Sequence, residues 1–294
     1  MVKYKKWLAK NKFDFTNKTA LIVGGTGTIG VKTIEYLLYL NADVIIAARN
    51  LKKANNIKDK LLSQFPNANI SILELDVSSK KSIDKFLLNI NNYPKIDIFI
   101  NNAGVYHLNS TLSVDGYEIH FATNALGNYY ISNKIVNNLN DSASMVIVGS
   151  IAYKYVNVDL NDVEGIKIAS KFKKYANTKR ILTANVCKLK RKYSNYNINL
   201  VHPGICATEL FQKANSNILL KLAYPFMKLI FISPAKAALS LIAGIEMKTK
   251  INEWIGPRVF SVWGYPKKSK LHKRVINEKF ENNLEFIMED MLNF

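Results

Sequence analysis

The sequence predicts a single α/β domain built on a doubly wound parallel sheet, on three grounds. Apolar runs of strand length recur along the chain, segments of helical periodicity separate them, and a glycine-rich turn follows the first run. The runs fall at residues 19–23, 44–47, 70–73, 96–100, 145–148 and 198–201, and the helical segments at 29–40, 53–64, 82–90, 117–139 and 172–193. Strands apolar on both faces, each followed by a helix, need crossover connections and so a parallel sheet covered on both sides. A length of 294 residues with 48% hydrophobic content can fill such a core, and excludes a disordered, collagenous or disulfide-built chain. One domain is read over 16–265, after a basic N-terminal extension over 1–15 and before a C-terminal basic segment and helix over 266–294.

The first strand runs into Gly24-Gly25-Thr26-Gly27-Thr28-Ile29-Gly30 and then a helix. Glycines let backbone N–H groups approach a pyrophosphate, and the helix N-terminus adds a positive dipole end. Strand, loop and helix come in the order of a Rossmann dinucleotide site. At the end of the second strand, where an acid would hold the ribose 2′-hydroxyl of NAD(H), the chain has Ala47-Ala48-Arg49-Asn50. A cation accommodates a 2′-phosphate, which favours NADP(H) over NAD(H); the alternative is a solvated arginine. Asp76, beside Val77 after the third strand, reads either as an acceptor for an adenine amino group or as a helix cap.

Asn102-Ala103-Gly104 follows the fourth strand, where Asn102 either meets the cofactor or braces the sheet. Asn124 lies in a helical pattern that gives asparagine no advantage. Ser150 closes the fifth strand, and Tyr175 and Lys179 lie four apart, on one face of the next helix. An ammonium beside a phenol favours phenolate, lowering the tyrosine pKa from about 10 toward the range for proton exchange with a carbonyl or alcohol oxygen. Such a pair is common by chance; its position is not. The glycine loop, Arg49, Asp76, Asn102, Ser150 and the His202-Pro203-Gly204 turn all fall at carboxyl ends of predicted strands, the edge where open α/β sheets bind ligands.

Residues 208–233 break the alternation, ahead of a helix expected to start near Pro234. Leu210, Phe211, Leu219, Tyr224, Phe226 and Phe231 are among too many apolar groups for a solvated loop. The segment is read as a substrate lid, a partner or membrane contact, or ordinary packing. Forty-one Lys and Arg against 22 Asp and Glu give a net charge of +19. From Gly165 to Thr208 ten basic residues occur without one acid. That run reads as a solvated face or, with Lys3, Lys5, Lys6 and the 267–274 cluster, as an attractor of anionic membrane. No nucleic-acid-reading module accompanies the charge, so no nucleic acid is expected. Two cysteines, Cys187 and Cys206, are too few for a zinc site and read as buried thiols in a reducing compartment. No signal-peptide core or spanning run is visible, so the expected location is cytoplasmic, with peripheral membrane contact open.

Together these residues resemble the short-chain dehydrogenase/reductase family over nearly the whole chain. The family's loop is usually TGxxxGxG; here Thr28 replaces the middle glycine, and Gly27 gives the GxxGxxG spacing of the extended, sugar-nucleotide-modifying branch. Other features are similar instead to the retinol-dehydrogenase-like reductases. They are Asn102-Ala103-Gly104, Asp115-Gly116-Tyr117-Glu118 leading to Phe121 and Asn124, the 25-residue step from Ser150 to Tyr175, and His202-Pro203-Gly204 leading to Thr208. The resemblance implies a catalytic tetrad of Asn124, Ser150, Tyr175 and Lys179. In it Tyr175 is the general acid/base, Lys179 holds the nicotinamide ribose and depresses the tyrosine pKa, Ser150 binds the reacting oxygen and Asn124 positions a water. It places Thr208 against the cofactor carboxamide or pyrophosphate, and a homodimer contact on the helices near 117–139 and 172–193. The leading expectation is an NADP(H)-dependent oxidoreductase interconverting a hydrophobic carbonyl compound and its alcohol. A non-catalytic dinucleotide-binding regulator and a nucleotide-sugar epimerase or dehydratase are the alternatives.

Overall fold

The computed structural model describes residues 2–106, 112–206 and 231–293. Eight strands form one sheet: β1 (Thr19–Val23), β2 (Asp43–Ala48), β3 (Ile70–Glu74), β4 (Ile96–Asn101), β5 (Leu139–Val148), β6 (Asn197–Val201), β7 (Glu253–Val259) and β8 (Trp263–Lys270). Their order across the sheet is β3-β2-β1-β4-β5-β6-β7-β8, parallel except for β8, which returns antiparallel to β7. The doubly wound sheet is thus as the sequence predicts, and each of the six expected strands lies within an observed one. The hairpin of β7 and β8 is an addition. Pro257 and the lysines Lys267, Lys268 and Lys270 hide it from a hydrophobic reading, because an edge strand carries charge where an inner strand carries valine.

The helices are α1 (Lys5–Lys10), α2 (Thr28–Tyr39), α3 (Leu51–Leu62), α4 (Lys80–Ile90), α5 (Ile119–Phe121), α6 (Gly127–Lys134), α7 (Lys171–Lys192), α8 (Pro234–Glu246) and α9 (Glu278–Leu292). Asn50, Ser79, Ser170 and Ser233 cap α3, α4, α7 and α8, each side chain accepting a first-turn N–H, and Pro234 opens α8 as expected. Strand alternation divides the core in two. Ala20, Ile22, Ile46, Ile100 and Val146 pack with α2 and α8, whereas Leu21, Val23, Ile45, Phe99 and Met145 pack on the opposite face with α4, α6 and α7.

Three segments depart from the sequence reading. The single helix expected over 117–139 is instead α5, a π-helical turn over Ala122–Leu126, α6 and a 3-10 turn over Ile135–Asn138, and Leu139 already belongs to β5. Leu8 and Phe15, from the N-terminal extension, are buried in the α2/α8 layer. The boundary expected at 265 falls inside β8. Beyond it, α9 lays Leu284, Met288 and Leu292 against Phe121, Ala125, Tyr129, Ile181 and Ala184. The chain's own tail therefore covers an apolar face formed by both central helices.

Candidate active site

The sheet order reverses between β1 and β4, whose last residues Val23 and Asn101 are in register, so the turns that follow them meet. Gly24 has φ +74, and a Cβ there would lie 2.9 Å from the Ala103 backbone; one on Gly30 would lie 2.5 Å from the Gly24 carbonyl oxygen. Only glycine allows this approach. Asn102 secures it, Nδ2 donating to the Gly24 carbonyl oxygen at 3.0 Å, which makes Asn102 a brace of the phosphate loop. Gly27 is the N-cap of α2, and no side chain bonds the first-turn N–H groups. Thr26, Thr28 and Ile29 around it are half-buried. Those uncapped donors at an open helix end fit a pyrophosphate.

At the end of β2 the Arg49 guanidinium is 69% exposed, 3.7 Å from the Asp76 carboxylate. The other Asp76 oxygen accepts from the Ser78 N–H at 2.9 Å and the Ser78 hydroxyl at 2.6 Å. Asp76 is therefore not the cap of α4; Ser79 is. Asn50, expected beside the cofactor, spends its side-chain oxygen on the Lys53 N–H at 2.8 Å as the cap of α3. Val77 is buried under α4 and α6. Pro203 and Gly204 turn at the end of β6, where Gly204 takes φ +87. Thr208 and residues 208–230 of the expected lid lie outside the described residues; Ile232 is buried and bridges to Cys206.

Ser150, Tyr175, Lys179 and Asn124 are brought together from three elements. Ser150 follows β5, its hydroxyl near the Tyr175 phenol and accepting from the Ala152 N–H at 3.2 Å. Lys179, one turn along α7, is buried with Nζ 5.8 Å from the Tyr175 ring centre and 3.1 Å from the Val148 carbonyl oxygen. Asn124 lies in the π turn, the irregularity that carries its amide inward. There Oδ1 accepts from the Val105 N–H at 2.7 Å, while Nδ2 donates to the Val105 carbonyl oxygen at 2.9 Å and approaches Thr178 Oγ1 at 3.3 Å. A Cβ on Gly104 would lie 3.4 Å from both Asn124 Oδ1 and Lys179 Nζ, so the glycine keeps space open above them. Sequence reasoning missed Tyr106, whose ring stands edge-on to Tyr175 with centroids 5.3 Å apart, and Thr178. Tyr106 comes two residues after the Asn-Ala-Gly turn, but no pattern marks its ring as turned toward α7.

Burial holds the Tyr175 phenol above its ordinary pKa, with Tyr106 acting in the same direction and the Ser150 hydroxyl against it. Burial also brings Lys179 down to about 8. The expected depression of the phenol by the lysine does not dominate here, because desolvation of the phenolate outweighs a cation itself starved of water. His202 is buried and stacked on Trp254 at 5.2 Å, its pKa pushed down to about 3 by burial. Cys187 and Cys206 are buried thiols raised to about 12. Among the described residues no cluster could hold a metal ion, and no helix is long and apolar enough to cross a membrane.

A phosphate turn at the reversal point of a parallel sheet, with a phenol, a hydroxyl and an ammonium gathered beside it, answers the needs of an oxidoreductase that uses a nicotinamide dinucleotide. Residues 18–219 match the short chain dehydrogenase family. The chain is 37% identical over 224 residues to "Short-chain dehydrogenase TIC 32 B, chloroplastic" of Brassica napus, covering 69% of this chain and 68% of that protein. It is 31% identical over 208 residues to retinol dehydrogenase 14 of Mus musculus (66% and 62%) and 29% identical over 208 residues to human polyprenol dehydrogenase (67% and 63%). A solved structure from Mycobacterium paratuberculosis shares the fold with TM-score 0.75 at 22% identity over 95% of each chain. The chain belongs to the short-chain dehydrogenase/reductase family and is an NAD(P)-dependent enzyme.

Proposed function

We propose that this enzyme interconverts a hydrophobic carbonyl compound and its alcohol with NADP(H), and that Tyr175 exchanges the proton. The observation that carries the reading is the Tyr175 phenol with Lys179 one turn away, open space over Gly104 and the Ser150 hydroxyl nearby. Gly24 to Gly30 and the N-terminus of α2 hold the pyrophosphate, Asn102, Ala103 and Gly104 line the crevice, and Arg49, steered by Asp76, takes the 2′-phosphate. When bound, the dinucleotide supplies or accepts the hydride. Ser150 donates a hydrogen bond to the substrate oxygen and aims it at Tyr175. In reduction the phenol gives its proton to that oxygen as negative charge develops there; in oxidation the phenolate takes it back. Lys179 stabilises the phenolate, and Asn124 fixes Val105 and with it the approach to Tyr106.

The relatives named for retinol and polyprenol support a lipophilic alcohol or aldehyde as substrate. Peripheral contact with an anionic membrane is favoured by the β7–β8 hairpin, whose tip exposes Val259, Phe260 and Trp263 beside the lysines of β8. The Val262 carbonyl would lie 3.0 Å from a Cβ on Gly204, which puts that tip next to the crevice. Replacing Tyr175 by Phe tests the chemistry: turnover of retinal by NADPH should fall at least about a thousandfold while NADPH still binds. A variant that keeps its rate removes Tyr175 from the reaction.

A further inference from the structure

A second cavity, of about 230 Å³, lies behind the turn that follows Ser150 and is lined by Lys154, Tyr155, Asn157, Arg180, His272 and Arg274 among others. Arg180 comes five residues after Tyr175 and so leaves α7 about 140° around the helix from it, away from the nicotinamide crevice. Among the described residues no carboxylate lines the cavity. Arg180 is only 7% exposed; Nη2 donates to the Arg274 carbonyl oxygen, and Nε is buried with no hydrogen-bond partner among the described residues. Other cations of the same helix are paired: Arg191 with Glu281 at 3.0 Å and Lys188 with Glu285 at 2.9 Å. Arg180 has no such ion pair among the described residues, and burying a guanidinium without an anion is costly.

We infer that this cavity is an anion site that takes a phosphate group. Two guanidinium side chains present fork geometry to paired oxygens, Lys154 adds a point charge and Asn157 an amide donor, a set matched to an anion with several acceptor oxygens. The volume admits a phosphate monoester head. The occupant would neutralise Arg180 and tie the turn Ile151–Tyr155 to residues 272–274 of the tail. Tail and turn already meet there, the His272 N–H donating to the Tyr153 hydroxyl at 3.1 Å.

Thermal unfolding of the full chain with increasing inorganic phosphate at fixed ionic strength tests the site. Wild type should gain Tm with phosphate, R180M should lose the response, and R274Q, at an exposed position, should need about tenfold more phosphate for the same gain. R180M should also be at least as stable as wild type without phosphate, since it removes an unpaired buried charge. With NADPH saturating the glycine loop and Arg49 throughout, a phosphate response kept in both variants, or an unchanged response in R274Q if R180M does not fold, would overturn the inference. Cosedimentation with phosphatidylcholine vesicles with and without phosphatidic acid separates the sources. Binding that needs phosphatidic acid and is weakened in R274Q identifies a lipid headgroup; a phosphate response without vesicle binding identifies a free phosphate compound.

Discussion

The Lys179 ammonium donates to the Val148 carbonyl oxygen at 3.1 Å, fastening α7 to the end of β5 beside Ser150. This bond fixes the lysine's place and keeps it buried, and burial lowers its pKa to about 8. Unfolded, the same lysine titrates near 10.5. Between those values the unfolded chain binds more protons than the folded one, so stability rises with pH across the window from about 8 to 10.5. Urea unfolding at pH 7.5 and 9.5 should show that gain, reduced in Lys179→Met. Lys190, also brought to about 8 by burial, keeps part of the slope in the variant.

His202 predicts the acid limb. Its folded pKa of about 3 lies below the ordinary 6.5, so the neutral ring stabilises the fold above 6.5 and that contribution is lost as pH falls toward 3. His202→Phe keeps an aromatic ring against Trp254 and removes the titration. The drop in Tm from pH 7 to pH 4.5 should be smaller in the variant than in wild type; an equal drop places the acid sensitivity elsewhere.

Arg49 is exposed, and its ion pair with Asp76 is loose, so removing it costs the fold little. If it meets a 2′-phosphate, Arg49→Ala weakens NADPH binding by roughly tenfold or more, the worth of a charge-assisted hydrogen bond, and leaves NADH within about twofold. Titration calorimetry with both dinucleotides reads the ratio directly. Equal losses for the two would return Arg49 to the role of a solvated side chain.

Helix α9 covers an apolar face of the two central helices. Met288 is fully buried in that contact, and the Tyr129 hydroxyl donates to Glu289 at 2.5 Å. Met288→Ala should cost about 2–5 kcal/mol, as for other large-to-small core changes. Deleting residues 277–294 should bare Phe121, Leu126 and Ile181 and drive self-association, seen as a mass increase in light scattering. A truncated chain that stays folded and of unchanged mass would show that the contact is dispensable.

The fold was legible because a parallel sheet states itself locally. A strand buried on both faces must be apolar throughout, and a phosphate turn must be glycine wherever Cβ would strike backbone, so β1 to β6 and Gly24 to Gly30 could be read residue by residue. Ser150 could be placed at a strand end, and Tyr175 and Lys179 on one helix face by their spacing of four. What sequence could not settle depends on partners distant along the chain. The ten basic residues between Gly165 and Thr208 read as one solvated or membrane-attracting face, yet the structure divides them. Arg191 and Lys188 pair with α9, Lys190 donates to Lys250 and Glu253 carbonyls, Lys179 is drawn into the site, and Arg180 is buried at a separate cavity. Asn50 and Asn102 were placed correctly along the chain, but whether an amide caps, braces or binds is decided by which backbone groups lie within 3 Å. Local chemistry chose the sheet and its phosphate turn, while charge neutralisation and desolvation, which act between segments joined only by folding, assigned each polar side chain its work.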